Sequence, residues 1–390
     1  MHNSNQQTIA LTGATGFLGS HLMASLLKGG YRVIVFGRSS KDETLTERIA
    51  QLLQWFSLGD KGFLLELIEI DLLKPMMGLS ESQYTNLAEK TDQIIHCASD
   101  TSFSERKRSQ IIETNVSSLK GILEFASNGK SKRFNYISTA YVAGIIDGLC
   151  SEQLVTNTKF YNAYEESKAN AEIIISTYCS EHLIPLNIIR PPIVYGDSRT
   201  GRSLKFNALY YHVKSLQFIR DIYLNDINIR NGIKSAECGI SIDGEGFLIM
   251  PLRIYLPHEG TINLIPVDYF VDATLLIVNS NIENGIYHIT SETPSRIETL
   301  VTYIGDLLKI KGIEIIYHNS NDVILRNPPE ELFDRFIEQY RSYLSDTRIF
   351  ERSNIDKLNK NFHPPTSSYD IFKRCMDYAI SINWGAKGFI

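Results

Sequence analysis

The sequence predicts an α/β protein in which a doubly wound parallel sheet carries a smaller C-terminal lobe over its edge. Three observations support that class. The chain has 390 residues, 43% hydrophobic and 21% charged, which is enough to bury one large or two modest cores. Up to Arg190, short β-branched or apolar runs alternate with longer amphipathic stretches, the pattern of βαβ units. The first run leads into three glycines at G-x-x-G-x-x-G spacing, the turn that joins a strand to a phosphate-binding helix.

Taken in order, Thr8 to Thr12, Tyr31 to Phe36, Phe63 to Ile70, Gln93 to Ala98, Arg133 to Ser138 and Leu186 to Arg190 read as strands, giving a six-stranded sheet. Between them Phe17 to Lys28, Glu43 to Phe56, Lys107 to Ala126 and Tyr161 to His182 carry apolar residues at helical spacing, each long enough to cross to a parallel neighbour. After Pro191 and Pro192 the rhythm breaks. Residues 198–260 show no sustained period, and short strand and helix signals return from Ile282. The expected division is 1–197 as the sheet core and 198–390 as the lobe, with segments near 262–290 returning to the core.

Composition excludes several function classes. The 39 Lys and Arg against 44 Asp and Glu give a formal charge of −5, without the basic excess of a nucleic-acid binder. Five scattered cysteines, with no C-x-x-C pair, suggest neither a disulfide framework nor a zinc site, and fit a reducing cytoplasm. The nine histidines lack metal-ligand spacing, so no metal is expected. The polar start MHNSNQQ runs straight into a strand, and no apolar run reaches the roughly 18 to 20 residues of a membrane span, so a soluble protein is expected.

The glycine turn points to a dinucleotide. Gly13 and Gly16 permit backbone conformations and close approach that a Cβ would block, and Gly19 lets the following helix pack against the sheet. With Thr15, Phe17 and Leu18 they form the expected pyrophosphate cradle, where free N–H groups and the positive helix end meet an anion. After the second strand comes Phe36-Gly37-Arg38-Ser39-Ser40, with no acidic residue before Asp42. A guanidinium there suits a 2′-phosphate, so Arg38 predicts NADP(H) rather than NAD. Asp71, beside Leu72, can accept from the adenine amino group, and Ala98 and Ser99 should line the cleft at the end of the fourth strand.

Three Tyr-x-x-x-Lys pairs occur: Tyr164/Lys168, Tyr210/Lys214 and Tyr369/Lys373. Only the first follows a Ser-Thr pair that ends a strand, Ser138-Thr139, and precedes another strand of the same sheet. An i, i+4 spacing places Tyr164 and Lys168 on one helix face, where the ammonium is expected to lower the tyrosine pKa. Tyr164 would then exchange a proton with a carbonyl oxygen under hydride attack, with Thr139 as second donor and Lys168 on the nicotinamide ribose. Ser138 is expected to face the cofactor, and Asn115 either carries a water-linked proton path or braces the sheet. The other two pairs read as helical surface or packing. The basic run Arg199, Arg202 and Lys205 reads as a solvated loop or a contact for a carrier, and Tyr210-Tyr211 as packing.

Four motifs then narrow the reading: Thr12 to Gly19 (TGATGFLG), Ile137 to Gly144 (ISTAYVAG), Ile189 to Asp197 (IRPPIVYGD) and Asn263 to Ala273 (NLIPVDYFVDA). Together with Tyr164 about 25 residues after Thr139, they resemble the extended short-chain dehydrogenase/reductase superfamily, specifically its thioester reductase and fatty acyl-CoA reductase branch, also called male-sterility-like. The resemblance implies a Rossmann-type domain that reduces acyl thioesters, on CoA or on a carrier-protein pantetheine arm, to aldehydes and in some members to alcohols, using NADPH. It implies Thr139, Tyr164 and Lys168 as the catalytic trio. The cofactor would contact the glycine turn, Arg38 and, at the strand end beside the nicotinamide, Pro191 and Ile193. Competing readings are a nucleotide-sugar epimerase or dehydratase, or a sterol-type alcohol dehydrogenase, on the same scaffold. A cofactor-sensing regulatory protein is a further rival, which the complete Thr, Tyr and Lys set disfavours.

Overall fold

Residues 6–385 are described by the computed structural model, apart from residues 130, 132, 283 and 318–324; the polar start read at residues 1–5 lies outside the described residues. In chain order the first part folds as β1 (Thr8–Thr12), α1 (Phe17–Lys28), β2 (Arg32–Gly37), α2 (Leu45–Trp55), β3 (Leu65–Glu69), α3 (Glu81–Lys90), β4 (Gln93–His96), α4 (Arg108–Ile112), α5 (Leu119–Ser127), β5 (Arg133–Ile137), β6 (Gly148–Cys150), α6 (Ala163–Glu181), β7 (Leu186–Arg190), β8 (Ile193–Tyr195) and α7 (Leu209–Ile229).

The main sheet has seven strands rather than six, in the order β3-β2-β1-β4-β5-β7 followed by Gly285–His288, and every pairing is parallel. The seventh strand comes from the stretch expected to return to the core, with Tyr287 opposite Ile189. Strand order reverses between β1 and β4, so the ligand crevice of such a sheet lies at the carboxyl ends of these two strands. Side chains alternate across the sheet. Ile9 and Leu11 pack on one face with Leu22, Leu26 and Ile95, while Ala10 joins Ile34, Phe36, Phe125 and Tyr136 on the other.

Several elements differ from expectation for identifiable reasons. The helix expected over Lys107–Ala126 is broken: α4 runs into a π-turn at Glu113–Ser117 before α5 begins. The wider turn brings Asn115 inward, where it is buried. Helix α3 was not expected; it buries only Tyr84, Leu87 and Ala88, and is started by a capping box between Ser80 and Gln83. Helix α7 lies in the stretch that showed no period. It buries Leu209, Tyr210, Val213, Leu216, Ile219 and Tyr223, but Phe218, Ile222 and Ile229 are exposed on its other side and blur the stripe.

The lobe has its own core, where α7 packs with the strands Leu248–Leu256 and Ile310–Tyr317 and with the helices Ile297–Leu308 and Tyr369–Ser381. It re-enters the sheet region twice. First, Leu264–Pro266 pairs with β8, and the helix Val267–Val278 packs Phe270 and Ile277 against α1's side of the sheet. Second, Arg348–Phe350 pairs with β6, and Ile355 enters the same core as Leu11. Among the described residues, no helix is long and apolar enough to cross a membrane.

Candidate active site

Steric fit sets the glycine turn. Gly13 has φ +75°, and a Cβ there would lie 2.6 Å from the Ala98 nitrogen and 2.8 Å from the Cys97 oxygen. A Cβ on Gly19 would lie 2.1 Å from the Gly13 oxygen, so α1 packs directly onto the turn. Gly16 caps α1 with extended backbone and no side-chain cap, leaving the first-turn amides free for an anion. Thr12, which the sequence did not single out, holds the neighbouring strand end: its Oγ1 accepts from the Cys97 and Ala98 amides at 3.2 Å and lies 2.8 Å from His96 Nδ1. This turn, in which a Cβ on Gly13 or Gly19 would run into backbone, with the free first-turn amides beyond it, fits a dinucleotide pyrophosphate. Thr15, Phe17 and Leu18 are half-buried around it.

Beyond β2, Arg38 is exposed, and its guanidinium has no hydrogen-bond or ion-pair partner among the described residues. The adjacent Ser39 donates to Glu69 at the end of β3 and accepts from the Leu45 amide at 3.0 Å. Asp71 is exposed beyond β3, with one carboxylate oxygen taking the Leu73 amide at 3.1 Å, and the Leu72 carbonyl packs against Gly121 of α5. Ala98 and Ser99 are half-buried at the end of β4. Asn115 braces this end: its Oδ1 accepts from the Asp100 amide at 2.7 Å and from Ser99 Oγ at 3.1 Å, and its Nδ2 donates to Ser167 Oγ at 2.9 Å. It therefore ties the β4 loop to the helix that carries Tyr164.

Thr139, Tyr164 and Lys168 meet at the carboxyl end of β5. Asn162 caps α6 by accepting from the Glu165 amide at 3.1 Å, which fixes Tyr164 in the first turn. Thr139 is buried within hydrogen-bonding reach of the Tyr164 hydroxyl, and its own Oγ1 donates to the Pro191 carbonyl at 3.4 Å. Lys168, only 2% exposed, donates to the Ile137 carbonyl at 2.7 Å and sits 4.1 Å above the Tyr136 ring. Ile193 is half-buried in β8, and Pro191 is buried with its carbonyl also accepting from the Ala140 amide at 2.8 Å.

Two expectations are corrected. Ser138 does not face the cofactor side: its hydroxyl donates to Glu172 at 2.5 Å inside the core. Lys168 does not lower the Tyr164 pKa. Desolvation pushes the Tyr164 hydroxyl well above the usual tyrosine range, and the Thr139 hydrogen bond only partly opposes this. The ammonium is directed to the Ile137 carbonyl, and burial lowers its own pKa to about 8 against the opposing influence of Cys97 and Glu172. The shared helix face was legible, but where the amine points depends on β5.

Sequence reasoning missed the aromatic wall over the site. Phe103 lies 5.9 Å from the Tyr164 ring and 5.6 Å from Tyr343, whose hydroxyl donates to Glu165 at 2.6 Å. Tyr343 arrives from nearly 180 residues downstream, so no local signal reveals it. The basic run is not a free cluster: Arg199 pairs with Asp197 and Asp268, and Arg202 stacks on Trp55 at 3.9 Å, leaving Lys205 exposed. The other two Tyr-x-x-x-Lys pairs are packing and surface pairs, as read: Tyr210 is buried against the Gly196 amide, and Lys373 pairs with Asp377. One group of potential metal ligands, Glu292, Asp356 and His363, lies within 4.8 Å. Arg352 already faces its carboxylates.

The family model described as Male sterility protein matches residues 11–274, spanning the glycine turn, the trio and the first return to the core. The chain belongs to that family. It therefore lies in the thioester reductase branch of the extended short-chain dehydrogenases/reductases, and is an NAD(P)-dependent oxidoreductase with an NAD-binding domain. Nonribosomal peptide synthetase asaC of Aspergillus flavus is 25% identical over 370 residues, covering 88% of this chain and 32% of that protein. Fusarin C synthetase of Gibberella fujikuroi is 29% identical over 220 residues, 54% of this chain and 5% of that protein. The chain thus spans a third or less of these relatives.

Among solved structures, the terminal R domain from the myxalamid PKS-NRPS biosynthetic pathway superposes with TM-score 0.73 at 20% identity, covering 99% of this chain and 92% of that one. A thiolation-reductase di-domain from an archaeal non-ribosomal peptide synthetase gives TM-score 0.69 at 16% identity, over 97% of this chain and 76% of that one. UDP-glucuronic acid 4-epimerase from Bacillus cereus, in complex with NAD, gives 0.64 at 18%, over 97% and 99%. At these identities the likeness concerns the fold.

Proposed function

We propose that this protein is an NADPH-dependent reductase of acyl thioesters that releases an aldehyde, with the acyl group delivered on a carrier-protein or CoA pantetheine arm. The observation that carries the reading is the meeting of Thr139, Tyr164 and Lys168 beside a glycine cradle shaped for a dinucleotide. The relatives whose names describe peptide and polyketide synthetases, and the solved thiolation-reductase di-domain, support a carrier-borne substrate, and the five free cysteines suit a reducing cytoplasm. The free guanidinium of Arg38 supports NADPH, since Glu69, opposite Gly37 at the end of β3, is already engaged by Ser39. In this reading residues 1–197 hold the cofactor and the lobe within 198–390 shapes the acyl site.

The bound nicotinamide supplies the hydride. Tyr164, kept protonated by desolvation, is placed to donate to the thioester oxygen as the carbonyl carbon becomes tetrahedral. Thr139 adds a second donor to the same oxygen, and Lys168 holds the nicotinamide ribose. When the hemithioacetal collapses, the C–S bond breaks, the hydroxyl proton returns to Tyr164 and the departing thiolate takes a proton from solvent. The products are a thiol and an aldehyde. Phe103 and Tyr343 exclude water from the Tyr164 side of the site.

The test is NADPH oxidation with a panel of acyl-CoA and acyl-pantetheine thioesters, with products identified by mass spectrometry. Aldehyde formed in step with NADPH loss is expected. A tightly retained NAD, with turnover of a nucleotide sugar and no NADPH consumption, would overturn the reading.

A further inference from the structure

Behind the trio lies a buried charged cluster that the chemistry above does not use. Tyr164, Lys168 and Glu172 fall at i, i+4 and i+8 on one face of α6. Glu172 Oε1 takes the Ser138 hydroxyl at 2.5 Å and Arg190 Nε at 2.9 Å, while Oε2 takes the other arm of Arg190 at 2.5 Å. Glu172 and Arg190 are each 1% exposed. Ser138 directly precedes Thr139, and Arg190 directly precedes Pro191, whose carbonyl receives the Thr139 hydroxyl. One carboxylate therefore fastens the two strand ends that flank the reacting atoms, one helical turn from Lys168.

We propose that Glu172 is a positioning residue: its buried carboxylate orders the ends of β5 and β7 around Thr139 and keeps Lys168 cationic, so that the lysine can hold the nicotinamide ribose. The proposal rests on the role given to Lys168 under the proposed function. A purely structural ion pair needs neither the Ser138 bond nor a place on the Tyr164 and Lys168 face. The groups that face Lys168 are His96 and Cys97 from the end of β4, Tyr136 and the Ile137 carbonyl from β5, and Tyr164 and Glu172 from its own helix. Of these, Glu172 is the carboxylate. It opposes the desolvation that lowers the Lys168 pKa to about 8, so removing its charge should move the loss of the ammonium to lower pH.

The experiment titrates the whole protein with NADPH between pH 6.5 and 9.5, by nicotinamide fluorescence, for wild type, Glu172→Gln and Glu172→Asp. Wild type should lose affinity as pH rises through the region where Lys168 deprotonates. In Glu172→Gln this loss should begin about one pH unit lower, giving roughly fivefold to tenfold weaker binding near pH 8 with little change at pH 6.5. Glu172→Asp keeps the charge and should restore the wild-type profile even if its thermal stability drops. If Glu172→Gln does not fold, Glu172→Gln combined with Arg190→Met leaves no unpaired buried charge, and a downward shift smaller than that of Glu172→Gln alone is expected of it, because the guanidinium's opposing charge is removed as well. A Glu172→Gln or double-variant profile that superimposes on wild type overturns the proposal. Because only NADPH binding is read, a wild type that binds NADPH but reduces no thioester would refute the substrate reading and leave this inference standing.

Discussion

Replacing Gly19 by alanine adds one methyl group to the third glycine of the cradle, and the structure gives the sign of its effect. In an exposed helix interior the change should stabilise by about 0.5–1 kcal/mol, because alanine loses less backbone entropy than glycine. Here the new Cβ would lie 2.1 Å from the Gly13 oxygen and 2.7 Å from its carbonyl carbon. Ordinary contact lies near 3.5 Å, so α1 must retreat by roughly 1 Å or the turn must deform. Overpacking of that kind costs about 1–3 kcal/mol, which outweighs the helix gain and leaves a net loss. The larger consequence is functional. The first-turn amides of α1 move with the helix, and a displacement of about 1 Å at a binding group can cost on the order of a hundredfold. Fluorescence titration with NADPH should therefore show at least tenfold weaker binding, alongside a melting temperature lowered by a few degrees in circular dichroism. A Gly19→Ala protein that melts higher than wild type and binds NADPH equally well would refute the argument that these glycines exist for close packing beneath a pyrophosphate.

Tyr164→Phe should lower kcat by about 10²–10⁴ with NADPH affinity unchanged, since Thr139 keeps the Pro191 carbonyl as partner; single-turnover kinetics and a binding titration check both halves. Arg38→Ala should reduce kcat/KM for NADPH by about 10-fold to 100-fold while leaving NADH turnover nearly unaltered, and equal losses with both cofactors would remove the 2′-phosphate assignment. Acid should destabilise the fold through His96 and His288, both buried with pKa lowered to about 3. Their contribution is complete above the unfolded value of about 6.5 and is lost as pH falls toward 3, about 2 kcal/mol each by pH 5. Glu152, raised by burial to about 7, acts with the opposite sign, favouring the fold as pH falls below 7 and offsetting roughly one histidine. Unfolding free energies from urea titration should thus be lower at pH 5 than at pH 7, with His21 and His212, lowered to about 4, adding to the loss, and equal values would contradict the buried neutral imidazoles.

The parts legible in the sequence are those whose chemistry is local. The glycine turn, the Ser-Thr pair at a strand end and the Tyr-x-x-x-Lys helix each fit within a few residues, and the structure places the turn at the crevice between β1 and β4 and the other two at the carboxyl end of the adjacent β5. What stayed hidden depends on distant chain. Glu172 can be found as the next position on the Tyr164 and Lys168 face, but its value comes from Arg190, an arginine ending the buried strand β7. Tyr343 and Phe103 meet only through tertiary folding. The direction of the Tyr164 pKa was misjudged for the same reason: spacing tells which helix face a lysine shares, and the carbonyl of Ile137 on another element decides where its charge goes. Helix α7 escaped notice because its outward Phe218 and Ile222 carry the same hydrophobic signal as its inward residues.

The double return of the lobe bears on how such a reductase can be altered. Ile289 and Ile355 fill the same core as Leu11, and Arg348–Phe350 is hydrogen-bonded to Gly148–Cys150. A swap of everything after residue 197 would therefore replace half of the wall that supports the cofactor sheet. The exchangeable material is instead three pieces, about residues 198–260, 291–345 and 369–385, since the helix Tyr369–Ser381 completes the lobe core. Chimeras cut at those junctions should accept a foreign acyl preference with the nicotinamide site intact, whereas a single-crossover hybrid would have to rebuild its own foundation.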